Sequence, residues 1–131
     1  MNLYRRTVLS VLVSGLCACA QAQHSPSGTQ ENLITRSELN TASNLTTYEA
    51  LQRLRPLFLR DRGPVSLVNA TAHSRPVVFV DMTEYGELET LKSLPASRVE
   101  EVRFYPGPQA ATRFGSVYGG AGVIQLTMRS Q

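Results

Sequence analysis

The sequence predicts a small α+β domain in which about four to five strands form a mixed β-sheet and two or three short helices pack on it. Residues 77–80 form an unbroken apolar run, which is typical of a strand covered on both faces. Residues 99–106 and 123–128 alternate apolar and polar positions, as half-buried strands do. Amphipathic spacing over residues 46–55 and 86–94 predicts helices between these strands. Together the patterns favour a two-layer arrangement of helices against a sheet.

The helix over residues 46–55 has clear boundary signals at both ends. Thr46 and Glu49 have the spacing of a capping box, and Pro56 ends the helix because it has no backbone N–H to donate. The second helix is predicted from three leucines spaced three residues apart before a proline: Leu88, Leu91 and Leu94.

Shorter elements are expected between these segments. Leu33 and Ile34 predict a short strand, Ser37 a turn of helix, and residues 65–68 another strand. Pro108 suits the first position of a single helical turn before the last strand.

Four glycines precede that last strand: Gly115, Gly119, Gly120 and Gly122. A phosphate-binding loop has its glycines after a strand and before a helix, because the ligand binds the free amides of the helix N-terminus. Here the order is reversed and no Lys-Ser/Thr pair follows. The glycines therefore indicate positive φ or close backbone packing at a turn.

The 131 residues accommodate one domain, and 42% apolar and 18% charged residues are typical of a globular protein. Residues 1–22 have the pattern of a secretory signal peptide, with Arg5 and Arg6 followed by an apolar stretch and small residues. Residues 23–31 are polar and have the composition of a flexible tether. Residues 32–131 are then the domain.

Two processing sites compete in the signal. "LCAC" resembles a bacterial lipobox that would place a lipid on Cys19, whereas "AQA" permits ordinary cleavage after Ala22. We expect an outer-membrane-anchored lipoprotein in the first case and a periplasmic protein in the second. In both cases the mature domain has no free thiol, because Cys17 leaves with the signal.

Removing the signal leaves eleven basic against ten acidic residues, a net charge of +1. This near balance gives no support to a nucleic-acid partner.

The run "VEEVRFYPGPQAATRFGSVYGGAGVIQLTMR" resembles the end of the plug domain of TonB-dependent outer-membrane receptors. The positions in step with the family motif are Val99, Glu100, Val102, Gly107, Pro108, Ala110, Phe114, Gly115, Gly120 or Gly122, Val123 and Ile124. "LITRSEL", "TTYEALQRLRP" and "RPVVFVDM" are similar to earlier plug segments in the same order, so the resemblance covers residues 33–129. It implies a plug-like fold with motif turn residues Asp81, Gly107, Pro108, Gly115, Gly119, Gly120 and Gly122.

The sequence departs from this family in two respects. The plug arginines of the "IRG" and "RGP" motifs, which are thought to face acidic residues of the barrel, are replaced by Val68, Asn69 and Pro106. Only Ser130 and Gln131 follow the last predicted strand and its flanking arginine, where receptors of this family continue into a barrel of about 22 strands. We therefore expect a stand-alone domain that is not itself a channel.

Catalytic residues are sparse. His73 has no recognisable triad partners and is expected to be exposed in a loop. Asp81 and Glu84 offer a carboxylate pair or metal site at a strand end, but Asp81 matches a turn acid of the plug motif, which favours turn capping. A hydrolase or metal-binding domain is thus the weaker alternative, and we expect no cofactor and no metal.

Surface residues leave several possibilities open. Four nearby arginines, Arg53, Arg55, Arg60 and Arg62, would form either a solvated face or a contact for anionic groups. Tyr85, Tyr105 and Tyr118 are expected either to contact a protein partner or to pack against the sheet. The sequence favours a non-catalytic interaction module of the bacterial envelope with an outer-membrane or periplasmic partner. The alternative is an accessory subunit that works in trans with a separate barrel or transport complex.

Overall fold

A computed structural model of the chain describes residues 31–62 and 73–130. Five strands form one sheet in the order β1-β4-β5-β2-β3. The strands are β1 (Leu33–Ile34), β2 (Val77–Val80), β3 (Thr83–Gly86), β4 (Val99–Tyr105) and β5 (Val123–Met128). The α-helices are α1 (Arg36–Asn40), α2 (Thr47–Leu54) and α3 (Gly107–Phe114), and short 3-10 helices span Pro56–Leu59, Leu88–Lys92, Ala96–Arg98 and Ser116–Gly119.

Strand β5 lies in the middle of the sheet and makes it mixed. It runs parallel to β2, with Ile124 opposite Val78, and antiparallel to β4, with Ile124 opposite Phe104. Strands β1 and β3 form the two edges and pair antiparallel with β4 and β2. The expectation of a mixed sheet of four to five strands with two or three helices is confirmed.

The main hydrophobic core lies on the face of the sheet that carries Val78, Val102 and Ile124, all of which are completely buried. Helix α2 covers this face with Ala50 and Leu51, which are also completely buried. The other large members of this core are Ile34, Leu39, Phe58, Leu88, Leu91, Val99, Phe104 and Leu126. Side chains from β1, β2, β4 and the helices between them thus meet on one face of the sheet.

A second, smaller core lies on the opposite face. Val77, Phe79 and Val123 alternate with residues of the main core along their strands, so their side chains point away from it. Helix α3 covers them with Ala110 and Phe114. The two-layer expectation is therefore corrected: β2 and β5 are covered on both faces, which accounts for the unbroken apolar run in β2.

The predicted capping box begins α2. Thr46 Oγ1 accepts a hydrogen bond from the Glu49 amide at 3.3 Å, and the Glu49 carboxylate accepts one from the Thr46 amide at 2.9 Å. These bonds satisfy two backbone donors at the helix N-terminus and hold the pKa of Glu49 below its usual value. The helix ends at Leu54, one residue before the N-cap position of the Pro56–Leu59 turn.

Three elements differ from the sequence prediction. Strand β3 was not predicted, because its residues Thr83–Gly86 lack an apolar alternation. The segment with three-residue leucine spacing forms the 3-10 helix Leu88–Lys92, which has three residues per turn. Helix α3 extends to Phe114 rather than ending after one turn, since Phe114 packs against Phe79 with ring centroids 4.6 Å apart. The predicted strand at residues 65–68 lies outside the described residues.

Two glycines permit the close backbone contacts around α3. A Cβ atom on Gly107 would lie 2.2 Å from the carbonyl oxygen of Gly119, and one on Gly122 would lie 2.5 Å from the carbonyl oxygen of Tyr105. Both distances are far shorter than any van der Waals contact, and both neighbours are backbone atoms that cannot rotate away. Gly122 also has φ +92°, which favours glycine.

We expect Gly107→Ala to lower the free energy of unfolding by about 2–4 kcal/mol, because the added methyl group forces α3 away from the Gly119 backbone. Urea unfolding followed by circular dichroism measures this loss. Gly119→Ala is the matched control, since its Cβ atom would lie 3.2 Å from the Ala111 methyl group and 3.8 Å from the Gly107 carbonyl oxygen, without the severe backbone clash of Gly107. Equal losses in the two variants would contradict the inference that the backbone contact at Gly107 requires glycine.

Candidate functional site

The β2–β3 hairpin brings several of the singled-out residues to one edge of the sheet. Its turn is formed by Asp81 and Met82, and Asp81 has φ +54°. Asp81 also joins the turn to the end of β5, since its Oδ1 accepts a hydrogen bond from the Met128 amide at 3.3 Å and its carbonyl oxygen accepts one from the Gln125 side chain. The Asp81 backbone therefore forms the turn, and its carboxylate is bonded to the backbone at the end of β5.

Glu84 faces a different set of groups from Asp81. It lies opposite Phe79 in the β2–β3 ladder, and its Oε2 accepts a hydrogen bond from the Tyr118 hydroxyl. The two carboxylates thus have separate partners rather than a shared ligand position. Within residues 31–62 and 73–130, no group of three or more His, Cys, Asp or Glu side chains is placed to hold a metal ion.

His73 stacks on Tyr118, with ring centroids 5.9 Å apart and planes 3° from parallel. His73 lies in a loop, as expected, but it is half-buried rather than exposed. The Phe79 ring packs edge-on against the Tyr118 ring, with 5.3 Å between the two centroids. We call His73, Phe79, Glu84 and Tyr118 the tyrosine clamp, because Tyr118 contacts all three of its other members.

The hydrogen bond between Tyr118 and Glu84 in the tyrosine clamp stabilises the structure. The hydrogen bond to the Glu84 carboxylate raises the pKa of Tyr118 above its usual value, because the phenol donates only when it is protonated. Tyr118 is therefore a neutral donor at physiological pH, and its bond to Glu84 ties the Ser116–Gly119 turn to β3. The clamp fixes the edge strand to the rest of the domain.

The outer side of β3 is the most open part of the described sheet. Its residues Thr83, Glu84 and Tyr85 are exposed. Met82 and Tyr85, with 60% and 47% of their surfaces exposed, are among the few large apolar or aromatic side chains that the described residues leave in solvent. We call residues 82–87 the open edge. Exposed apolar side chains at an unpaired sheet edge are an arrangement that natural proteins usually avoid.

Tyr105 and the motif glycines lie at packed positions around α3. Tyr105 is half-buried and contacts Phe114 edge-on, at 5.2 Å between centroids. Gly115 ends α3 with φ +119°, and Gly119 and Gly120 lie beside Gly107. Pro108 lies in the first turn of α3, and Pro106 precedes the helix as its N-cap.

The four clustered arginines of the sequence do not share one surface contact. Arg55 pairs with Glu38 at 2.8 Å, whereas the Arg62 guanidinium lies over the Phe104 ring at 4.9 Å from its centroid. Arg53 and Arg60 are exposed. A different arginine group, which the sequence did not indicate, forms around Glu100 at the start of β4 and includes Arg36, Arg98 and Arg129.

Among the residues singled out in the sequence, Cys19, Val68 and Asn69 lie outside the described residues, as do Arg5, Arg6, Cys17 and Ala22 of the signal. In the part of the chain that the structure describes, no helix has the length and apolar character needed to cross a membrane.

Comparisons with protein-family models, with curated proteins and with solved structures return no match to this chain. The resemblance to receptor plugs thus remains a hypothesis carried by its residues.

We expect the pKa of Tyr118 to lie above the ordinary tyrosine value and to fall towards it in Glu84→Gln. Because the folded-state pKa is raised, the bond stabilises the fold below the ordinary tyrosine pKa, and this contribution disappears as the pH rises through the raised value. NMR titration of ring-labelled tyrosine measures the first effect, and unfolding at neutral and alkaline pH, compared with Tyr118→Phe, measures the second. Glu87→Gln is the control, since it removes the same charge from the same edge; an equal shift there would exclude a specific bond.

Proposed function

We propose that this protein is a non-catalytic interaction module of the bacterial envelope, held at the membrane by a lipid on Cys19, that binds a partner protein through the open edge. The observation that carries this proposal is the exposure of Met82 and Tyr85 on β3 and its turn, since β3 pairs with β2 on one side and has no strand partner on the other among the described residues. The resemblance to receptor plugs and the lipobox-like signal support the envelope as its location.

The open edge suits the addition of a partner strand. An extended segment that pairs with β3 would bond to the outward backbone groups of the strand, and its side chains would contact Met82 and Tyr85. The tyrosine clamp and the β2 ladder hold β3 in position before binding, so little ordering cost opposes the association.

The charge of the open edge indicates a basic partner segment. Glu84 and Glu87 lie within it, with Asp81 immediately before it and Glu89 shortly after it. Of these four carboxylates, Glu89 alone forms an ion pair with a cation of the described residues, with Arg75 Nη1 3.0 Å from Glu89 Oε1. A segment carrying Lys or Arg would be attracted to this edge, whereas a second copy of β3 would bring like charges together.

The first experiment places a photo-crosslinking amino acid at Tyr85 in the membrane-bound chain, with Gln52 on the exposed side of α2 as the control position. We expect a crosslinked envelope protein from Tyr85 and not from Gln52. If that protein is an outer-membrane barrel, it supports the alternative in which the domain works in trans with a transport complex.

We then expect the double variant Met82→Lys with Tyr85→Lys to weaken binding of the purified crosslinked partner at least about tenfold, because it removes apolar contacts and repels a basic segment. Calorimetric titration measures the affinity. Leu57→Lys is the matched control, since Leu57 is equally exposed but lies in the Pro56–Leu59 turn. A partner that binds the double variant as tightly as the parent chain would exclude the open edge as its site.

A further inference from the structure

An arginine-lined cavity of about 780 Å³ lies at the end of the sheet where β4 begins and β5 ends. Arg36 reaches it from α1, Arg98 from the turn before β4, and Arg129 from the residue after β5. The backbone fixes two of these positions, because the Arg129 amide donates to the Arg98 carbonyl oxygen at 2.9 Å. We call this the arginine cavity; it does not include the open edge.

Glu100 is the one carboxylate among the residues that line the cavity, and it lies close to two of the three guanidinium groups. Glu100 Oε2 accepts a hydrogen bond from Arg36 Nη1 at 3.1 Å and lies 3.7 Å from Arg129 Nε, which is too long for a hydrogen bond. No carboxylate among the described residues forms an ion pair with Arg98. The lining of the cavity therefore carries a net charge of about +2, taking one unit charge per ionised side chain.

A buried donor in the same group lacks an acceptor. Arg129 Nε is inaccessible to solvent and has no hydrogen-bond partner among the described residues. A buried N–H group of this kind is costly unless some group accepts a hydrogen bond from it. The Arg129 side chain as a whole is about one third exposed, so part of it is accessible to a bound acceptor.

We propose that the arginine cavity binds a phosphate group. A phosphate monoester carries a charge of about −1.5 to −2 at neutral pH, which matches the excess charge of the lining, whereas the phosphodiester of a lipid headgroup carries a single negative charge and neutralises it in part. Both accept paired hydrogen bonds from guanidinium groups. The hydroxyl groups of Ser97 and Thr127 also line the cavity and supply neutral donors. The phosphate belongs either to a small soluble molecule or to a lipid headgroup of the membrane to which the chain is anchored.

The test uses the full chain carrying Cys19→Ala, which removes the expected lipid; the apolar stretch of residues 1–22 is common to every sample, so only a difference between vesicle compositions or between the variants below reports the cavity. Inorganic phosphate is titrated and followed by NMR, and vesicles of phosphatidylcholine are compared with vesicles that also contain phosphatidylglycerol. We expect saturable shifts at Arg98 and Arg129, or selective binding of the phosphatidylglycerol vesicles. Binding of free phosphate supports a soluble ligand, and binding of the vesicles alone supports a headgroup; binding of neither overturns the proposal.

Two pairs of variants separate the cavity from the overall charge. Arg98→Gln with Arg129→Gln is expected to weaken binding about tenfold or more, whereas Arg53→Gln with Arg60→Gln removes the same charge elsewhere and should leave it unchanged. Glu100→Gln removes the competing carboxylate and should strengthen binding severalfold, whereas Glu101→Gln, which is paired with Arg103 and does not line the cavity, should not. Equal effects within either pair would overturn the proposal.

Discussion

The arrangement of the sheet depends on the close backbone approach at Gly107 and Gly122. The chain leaves β4 at Tyr105, forms α3 and a 3-10 turn, and returns so that Val123 lies directly opposite Tyr105. This return requires the start of α3 to lie against the Gly119 backbone and the start of β5 to lie against the Tyr105 carbonyl oxygen. A side chain at either glycine would separate these segments, and β5 would lose its register between β4 and β2.

The same return positions the second hydrophobic core. Because α3 crosses the face opposite α2, Phe114 reaches Phe79, and the following turn brings Tyr118 to Glu84 on the edge strand. The edge strand is thus held from two sides, by its ladder to β2 and by the tyrosine clamp. A strand with few apolar side chains of its own is kept ordered by contacts that originate in the crossover between β4 and β5.

The sequence predicted the elements whose signals are local. The Thr46 capping box, the apolar run of β2 and the alternation of β4 appear in the structure, because burial and capping act over a few residues. Strand β3 has a polar sequence and is defined by its partner, so no local pattern indicated it. The three-residue leucine spacing fitted a 3-10 turn better than the α-helix that we inferred. The arginine cavity was not predictable in this way, because Arg36 and Arg129 are near opposite ends of the domain and meet only through the β1–β4–β5 pairing.

A mature net charge of +1 conceals a separation of charge across the sheet. Carboxylates lie along the β3 side and arginines around Glu100 where β4 begins and β5 ends, with β2 between the two groups. A domain with this polarity orients near an anionic membrane surface, because the arginine side is attracted and the β3 side is repelled. A phosphate headgroup in the arginine cavity would then turn the open edge towards the aqueous compartment, where a basic segment of a partner can reach it. The two proposed surfaces are thus compatible in one molecule, and each is measurable without the other.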